Sequence, residues 1–253
     1  IDSLTNIAIV NEIQETGHHS IQNAIDMASA GDSITVKAGT YDGFEVNKDN
    51  LTITGETGVF ITPNYTTTGW VTAQTAILVD GAQGVTISDL SIVGNDEYVG
   101  IAGFNGASFT VDNVYFENLV RGILTNTNTP GAVTAEVTVT NSTFINVLVG
   151  IGGTEDTTLT ATGNTFNMQR TGAEGLGIGN GSTLPQDILG LLTDNTFTLT
   201  NDNYALVDYT TSPATQYGKH LVLSSAFEFN QLIAADFFTS VEFDGTVGDL
   251  HIT

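Results

Sequence analysis

Three short oxygen-rich stretches are the first groups in this sequence with the chemistry to hold a ligand. They are Asn95-Asp96-Glu97, Glu155-Asp156 and Asn201-Asp202-Asn203. Carboxylate and amide oxygens are the ligands that Ca²⁺ prefers, and a chain without cysteine offers no thiolate for a softer metal. The sequence therefore predicts Ca²⁺ as the ion, bound at the first or the third stretch. No stretch has the spacing of an EF-hand loop, and the alternative is that each is a solvated turn.

A second candidate site is aromatic. The long insertion between Thr62 and Gln74 carries Trp70, the only tryptophan, together with Tyr65. An exposed tryptophan and tyrosine can stack on sugar rings, so Trp70 and Tyr65 are candidate ligand-binding residues. The alternative is that they anchor the loop by burial.

The charge balance narrows the partners. The chain has 28 acidic residues against 5 lysines and arginines, a formal net charge of −23. Nucleic acid is therefore not expected as a partner, because phosphate binding needs clustered basic residues, and anionic polysaccharides would be repelled unless cations intervene. No apolar run approaches the ~20 residues of a membrane span, so we expect no membrane insertion. Few lysines with many Thr, Asn and Gly residues favour an extracellular or cell-surface protein.

The elements that position these groups begin with a short helix. Apolar residues at helical spacing indicate one buried stripe at Ile21, Ala24, Ile25 and Ala28. With Ser20 as N-cap and Gly31 beyond the end, the pattern predicts a capping helix over residues 20–30. From Ser33 onward the chain alternates at the period of a strand and is broken by turns.

A repeat then dominates the sequence. Aligned strand-like segments share a bulky anchor, at spacings of 24, 28, 22 and 31 positions: Ile92, Phe116, Phe144, Phe166 and Phe197. Three positions before each anchor lies a residue type that tolerates a corner backbone: Asp89, Asn113, Asn141, Gly163 and Asp194. A further strand starts 6 to 9 positions after each anchor, as at Gly100-Ile101 and Gly122-Ile123. Three strands per coil predict an all-β, right-handed parallel β-helix, a solenoid with three sheets, as one domain over residues 1–253 with its coils over 33–253.

A family resemblance agrees with the repeat. The run from Ile21-Gln22 through Gly31-Asp32 to Gly39-Thr40-Tyr41, followed by Leu51-Thr52-Ile53-Thr54-Gly55, resembles the start of pectin-lyase-like right-handed β-helix proteins. The resemblance implies that the helix covers the first coil. It does not select a function, because that superfamily holds lyases, hydrolases, epimerases, adhesins and phage tailspikes.

The resemblance also implies where catalysis would lie if the chain is an enzyme. Polysaccharide lyases of the superfamily use a Lys or Arg base beside acidic side chains that hold Ca²⁺ against the substrate. Arg121, one coil beyond Asp96-Glu97 and close to Glu117, and Lys219 are the candidates. The alternative for Arg121 is a corner arginine paired with those carboxylates. The Gly-His-Gly-like and Asp-Pro-His segments of the hydrolase and epimerase branches are missing from the sequence.

Two functions therefore stay open at this point. The first is a non-catalytic extracellular or cell-surface module for adhesion, polysaccharide binding or assembly into a larger surface structure, with a polysaccharide or another surface protein as partner. The alternative is a Ca²⁺-dependent polysaccharide lyase or a related carbohydrate-active enzyme. The strand-like ending of the chain has no evident helical cap, so we expect a piece of a longer polypeptide or self-assembly through the C-terminal coil.

Overall fold

The computed structural model describes most of the coils. It covers residues 9–11, 16–18, 20–67, 74–126, 135–153, 157–178, 192–193, 195–199, 203–208, 215–217, 227–228, 241–243 and 250–252.

Three parallel sheets run along the solenoid, and each coil contributes one strand to each sheet. Sheet A contains β3 (Ser33–Val36), β6 (Thr52–Gly55), β10 (Val85–Ser88), β13 (Ser108–Asp112), β16 (Ala135–Thr140), β19 (Thr157–Thr162) and β22 (Leu192–Thr193). Sheet B contains β4 (Gly39–Asp42), β7 (Val59–Thr62), β11 (Ser91–Val93), β14 (Tyr115–Glu117), β17 (Thr143–Ile145), β20 (Thr165–Met168) and β23 (Thr196–Leu199). Sheet C contains β5 (Phe44–Val46), β9 (Gln74–Asp80), β12 (Val99–Phe104), β15 (Arg121–Asn126), β18 (Val149–Gly153), β21 (Glu174–Ile178) and β24 (Tyr204–Asp208). The predicted three-sheet parallel β-helix is confirmed.

The N-terminal end is covered by a helix and a hairpin. Helix α1 (Ile21–Met27) lies inside the predicted 20–30 and buries the predicted apolar stripe, and the Ser20 side chain accepts a hydrogen bond from the Asn23 amide. Gly31 does not cap the helix as expected, because the helix ends at Met27 with an extended Ala28 as its C-cap, and the ammonium of Lys48 donates to three carbonyl groups at this end. The sequence did not predict strands β1 (Ile9–Asn11) and β2 (Thr16–His18), which pair antiparallel with each other and add to β3. A further short strand, β8 (Tyr65–Thr66), pairs antiparallel with β9.

The C-terminal end also carries antiparallel strands. Strand β25 (Thr215–Tyr217) pairs with β24, and β26 (Phe227–Glu228) pairs with β23, so each lies beside the last parallel strand of its sheet. Strands β27 (Val241–Phe243) and β28 (Leu250–Ile252) form a separate hairpin. Two of the three sheets therefore have an antiparallel strand beyond their last parallel strand, and self-assembly through the C-terminal coil stays a prediction.

Stacked aromatic rings fix the register of the coils. The rings of Phe116, Phe144, Phe166 and Phe197 stack at 4.7 Å between centroids and within 6° of parallel. All four are fully buried. The spacing of the rings matches the ~4.7–4.9 Å between hydrogen-bonded strands, so ring stacking and strand pairing enforce one register.

A column of glycines in sheet C makes room for this stack. A Cβ added to Gly122 would lie 2.6 Å from the Phe144 ring and 2.6 Å from the Gly150 carbonyl oxygen. Gly100 and Gly150 stand in the same relation to Phe116 and Phe166. Each aromatic ring therefore occupies the volume that a side chain on the opposing strand would need.

Four of the five predicted corners between sheets A and B take the predicted backbone, and the fifth, Asp194, lies outside the described residues. Asp89, Asn113 and Asn141 have positive φ values of 60°, 52° and 50°, and Gly163 follows at 68°. The side chains of these corners form a partial hydrogen-bonded ladder, because Asn113 donates to Asp89 whereas Asn141 donates to Asp112.

We expect Gly122→Ala to lower the free energy of unfolding by about 2 kcal/mol or more, since the added methyl group overpacks the core. The matched control is Gly152→Ala on the next coil, where the nearest atom to an added Cβ is 3.5 Å away. That change should cost less than about 1 kcal/mol. Urea unfolding measures both, and equal losses would show that the glycine column does not set the packing.

Candidate functional site

The predicted oxygen-rich stretch at residues 95–97 is an exposed turn held by an arginine from a distant coil. All three of its side chains are exposed, and Asp96 has a positive φ of 72°. The Arg170 Nη1 atom lies 3.2 Å from Asp96 Oδ1 and donates to the Leu119 carbonyl oxygen at 3.1 Å. The guanidinium therefore neutralises one carboxylate that a Ca²⁺ ion would need.

The third predicted stretch is described only at Asn203. Its side chain is fully buried, its Oδ1 accepts from the Ala173 amide, and its Nδ2 donates to the Met168 carbonyl oxygen. These bonds are those of a residue that joins neighbouring coils. Asn201 and Asp202 lie outside the described residues, as do Glu155 and Asp156 of the second stretch.

A metal centre does not emerge from the rest of the described chain. Within the residues that the structure describes, no three His, Asp or Glu side chains are grouped so that they could hold a metal ion. Binding of Ca²⁺ stays a prediction.

Arg121 opens strand β15 on the outer side of sheet C, in register with Val99 and Val149. The alternative, an arginine paired with Asp96, Glu97 or Glu117, is not what the structure shows, and Asp96 pairs with Arg170. Within the described part of the chain, the Arg121 guanidinium forms no ion pair, and it lies over Gly152. Its role as a base stays a prediction, and the other candidate, Lys219, lies outside the described residues.

Tyr65 is held by a carboxylate beside an apolar cluster. Its hydroxyl donates to Glu45 Oε2, and its ring packs on an outer cluster of sheet C: Leu78, Val99, Ala102, Phe104 and Leu124. Hydrogen bonding to Glu45, then burial and the nearby negative charges, raise the pKa of Tyr65 to about 12. These contacts fit a loop anchor better than a free stacking platform, and Trp70 lies outside the described residues.

The outer face of sheet A carries a regular array of hydroxyl groups. Two columns of side chains flank the inward residues of the coils, each residue in register with its neighbour, and all are half-buried except Ser88, which is buried. Column one is Ser33, Thr52, Thr86, Thr110, Thr138 and Thr160. Column two is Thr35, Thr54, Ser88, Asp112, Thr140 and Thr162. We call these twelve residues the threonine face.

The geometry of the threonine face follows from strand pairing. Successive members of a column are one strand spacing apart, ~4.7–4.9 Å, and the columns are two residues apart along each strand, ~6.6 Å. In-register ladders of like side chains also favour a flat sheet over a twisted one. The face is therefore a two-dimensional lattice in which threonine, at nine of the twelve positions, offers a hydroxyl and a methyl group.

Strand propensity alone does not produce this array. Threonine is 40 of 253 residues, fewer than one in six, yet it fills nine of the twelve positions. The matching outward columns of sheet B are mixed, and they include Phe60, Val93, Tyr115, Glu117 and Ile145. Uniform composition is thus a property of one face, although both faces lie on the same coils.

The two columns differ in their hydrogen bonds. In column two, Ser88 donates to Thr54 at 3.2 Å and Thr140 donates to Asp112 Oδ1 at 2.7 Å. In column one, no side-chain hydroxyl bonds to another described residue. Column one therefore presents hydroxyl groups whose donors and lone pairs are open to water or a ligand.

An open groove of about 710 Å³ borders column two at the corner between sheets A and B. Glu56, Asp89, Asn113 and Tyr115 are among its lining residues, and Glu56 pairs with Lys37 at 2.5 Å. Two of these four side chains are carboxylates.

The threonine face was not among the sites predicted from the sequence, because it lies on the strands and most of the predicted sites lie in turns and insertions between them. The signal was the pair of hydroxyl residues that flank one inward residue in successive coils, as in Thr52-Ile53-Thr54 and Thr138-Val139-Thr140. It becomes visible only when every coil is aligned on its inward residue.

Comparisons with known proteins add no relative. No protein-family model, no curated protein and no solved structure matches the chain. Among the described residues, no helix is long and apolar enough to cross a membrane.

We expect Tyr65 to titrate near pH 12, well above the ordinary value of 10.0. Because the folded-state pKa is raised, the hydroxyl's contribution to stability is complete below pH 10.0 and is lost as the pH rises toward 12. Tyrosinate absorbance measures the titration, with Tyr65→Phe to identify the signal and Glu45→Gln to lower the pKa. An ordinary pKa in the unaltered protein would mean that the phenol is free.

Proposed function

We propose that this chain is a non-catalytic extracellular or cell-surface module that binds a flat, rigid surface through the threonine face. The observation that carries the proposal is the register of the two columns over six successive strands of sheet A. Adhesion to an extended solid is then the function, and the solenoid serves as the frame.

The shape of the threonine face favours a rigid ligand over a single flexible polymer chain. An outward sheet face has no concavity to surround a strand of polymer, and a flexible chain loses conformational entropy at every unit that it aligns. The units of a solid are already ordered, so binding to a solid does not carry this entropic cost. Each hydrogen bond contributes only about 1 kcal/mol net, but many equal contacts on two rigid partners form together.

The charge of the threonine face favours a neutral surface. Asp112 is the single ionisable group among the twelve, in a chain of net charge −23. Its Oδ1 accepts from Thr140 at 2.7 Å and from Asn141 at 2.8 Å, which ties the carboxylate into the sheet. A polyanion would be repelled by the rest of the molecule, whereas a neutral lattice meets hydroxyl and methyl groups.

The finer family assignment belongs to this proposal. We infer membership of the pectin-lyase-like superfamily from the resemblance of residues 21–55 and from the helix-capped coil with three parallel sheets. Structural Ca²⁺ at the Asp96 turn and lyase activity at Arg121 remain the competing hypothesis, which has no further observation in its favour.

We expect the protein to sediment with a flat crystalline solid and the double variant Thr138→Lys with Thr160→Lys to lose this retention. Each lysine places a charge on the lattice that a neutral surface leaves unpaired. The panel is crystalline cellulose, crystalline chitin and ice, with unbound protein measured after separation.

The control is Thr143→Lys with Thr165→Lys, which lie on sheet B of the same two coils. The control carries the same charge change and should keep the retention of the unaltered protein. Equal retention of both double variants on every solid would overturn the proposal. Release of an unsaturated product from a uronate polysaccharide, abolished by Arg121→Ala, would replace it with the lyase.

A further inference from the structure

We propose that the solid recognised by the threonine face is ice, so that this chain is an ice-binding module. The inference rests on the proposed function, because it names the ligand of the same face. Three features of the twelve residues lead to it: the absence of aromatic side chains, the near absence of charge and the open hydroxyl groups of column one.

The absence of aromatic residues argues against crystalline polysaccharides. Sugar rings are bound largely by stacking on tryptophan and tyrosine, which supply apolar area beside a polar edge. None of the twelve positions carries an aromatic side chain, whereas the outward face of sheet B has Phe60 and Tyr115. A carbohydrate crystal would find its preferred groups on the other face.

The near absence of charge argues against a mineral. An ionic lattice is held by rows of carboxylates or ammonium groups, and the one carboxylate here is already bonded to Thr140 and Asn141. What remains is a neutral lattice that offers donors and acceptors equally. Ice is such a lattice, and a threonine hydroxyl, which donates one hydrogen and accepts two, can replace a surface water.

Column one supplies the hydroxyl groups for this contact. Five threonine hydroxyls of this column form no hydrogen bond with another described residue: Thr52, Thr86, Thr110, Thr138 and Thr160. Their donors and lone pairs are therefore open to water or a ligand. The χ1 angle of threonine is restricted, and every threonine stands at a fixed interval on a rigid sheet. Waters held on such an array lose little further freedom when they join a crystal.

The methyl groups complete the surface. Each threonine presents a methyl beside its hydroxyl, and burial of these groups against a solid removes apolar area from water at roughly 25 cal/mol per Å². Serine offers the hydroxyl alone, and it fills only Ser33 and Ser88 of the twelve. The preference for threonine over serine is expected if both groups contact the ligand.

The test is the growth of single ice crystals in the presence of the whole chain. We expect a measurable gap between melting and freezing points, faceted crystals and enrichment of the protein in slowly grown ice. Enrichment in ice should be at least about tenfold lower for the double variant Thr138→Lys with Thr160→Lys than for the unaltered protein. A factor of ten corresponds to 1.4 kcal/mol. The sheet B control, Thr143→Lys with Thr165→Lys, should match the unaltered protein.

A neutral variant distinguishes loss of ice binding from loss of the fold. Thr138→Val with Thr160→Val keeps the methyl groups and the strand preference while removing two hydroxyls, and it should also weaken enrichment in ice with an unchanged melting temperature.

If the unaltered protein is excluded from ice like an inert protein, the inference is wrong. If retention on cellulose or chitin is still lost in the sheet A lysine variant, the surface-binding function stands without ice. If no solid distinguishes the sheet A variant from its sheet B control, both fall.

Discussion

The stacking of phenylalanine rings against a glycine column is the interaction on which this solenoid depends. A ring at Phe144 can be present only because Gly122 has no side chain, and the same holds one coil on either side. The rings repeat at 4.7 Å, the spacing of paired strands. Any slip of one coil against the next would break the ring stack and place Cβ-bearing residues against it, so the register is unique.

That register turns a sequence of unequal coils into a regular surface. The coils differ in length because insertions lie between the strands, yet the inward residues align, and so do the residues on either side of them. On sheet A the flanking positions are hydroxyl residues in nearly every coil. The hydroxyl columns are therefore a product of the core packing beneath them. A substitution that shifts the coils in the core would also shift the hydroxyl groups of these columns.

The few basic residues act mainly as ties between elements. Lys48 closes the C-terminal end of α1, Lys37 pairs with Glu56, and Arg170 bridges to Asp96. In a chain of net charge −23, each such tie neutralises a carboxylate or a helix end and adds no positive patch. The chain is thus strongly acidic, whereas the threonine face has one carboxylate among its twelve positions, and the exposed Glu136 stands two residues before Thr138 on the same strand.

The sequence by itself determined the fold class, the capping helix and the corners, because these follow from short-range patterns: a helical stripe at Ile21 to Ala28, a bulky anchor once per coil, and Asn, Asp or Gly where φ is positive. It could not determine which residues meet across coils. Arg170 and Asp96 are 74 positions apart, and nothing near either residue indicates the other. The hairpin on β3 and the alignment of Thr52, Thr86 and Thr110 were hidden for the same reason. Side chains one strand spacing apart in space are separated by a full coil of variable length in sequence, and only the packed core decides which of them become neighbours.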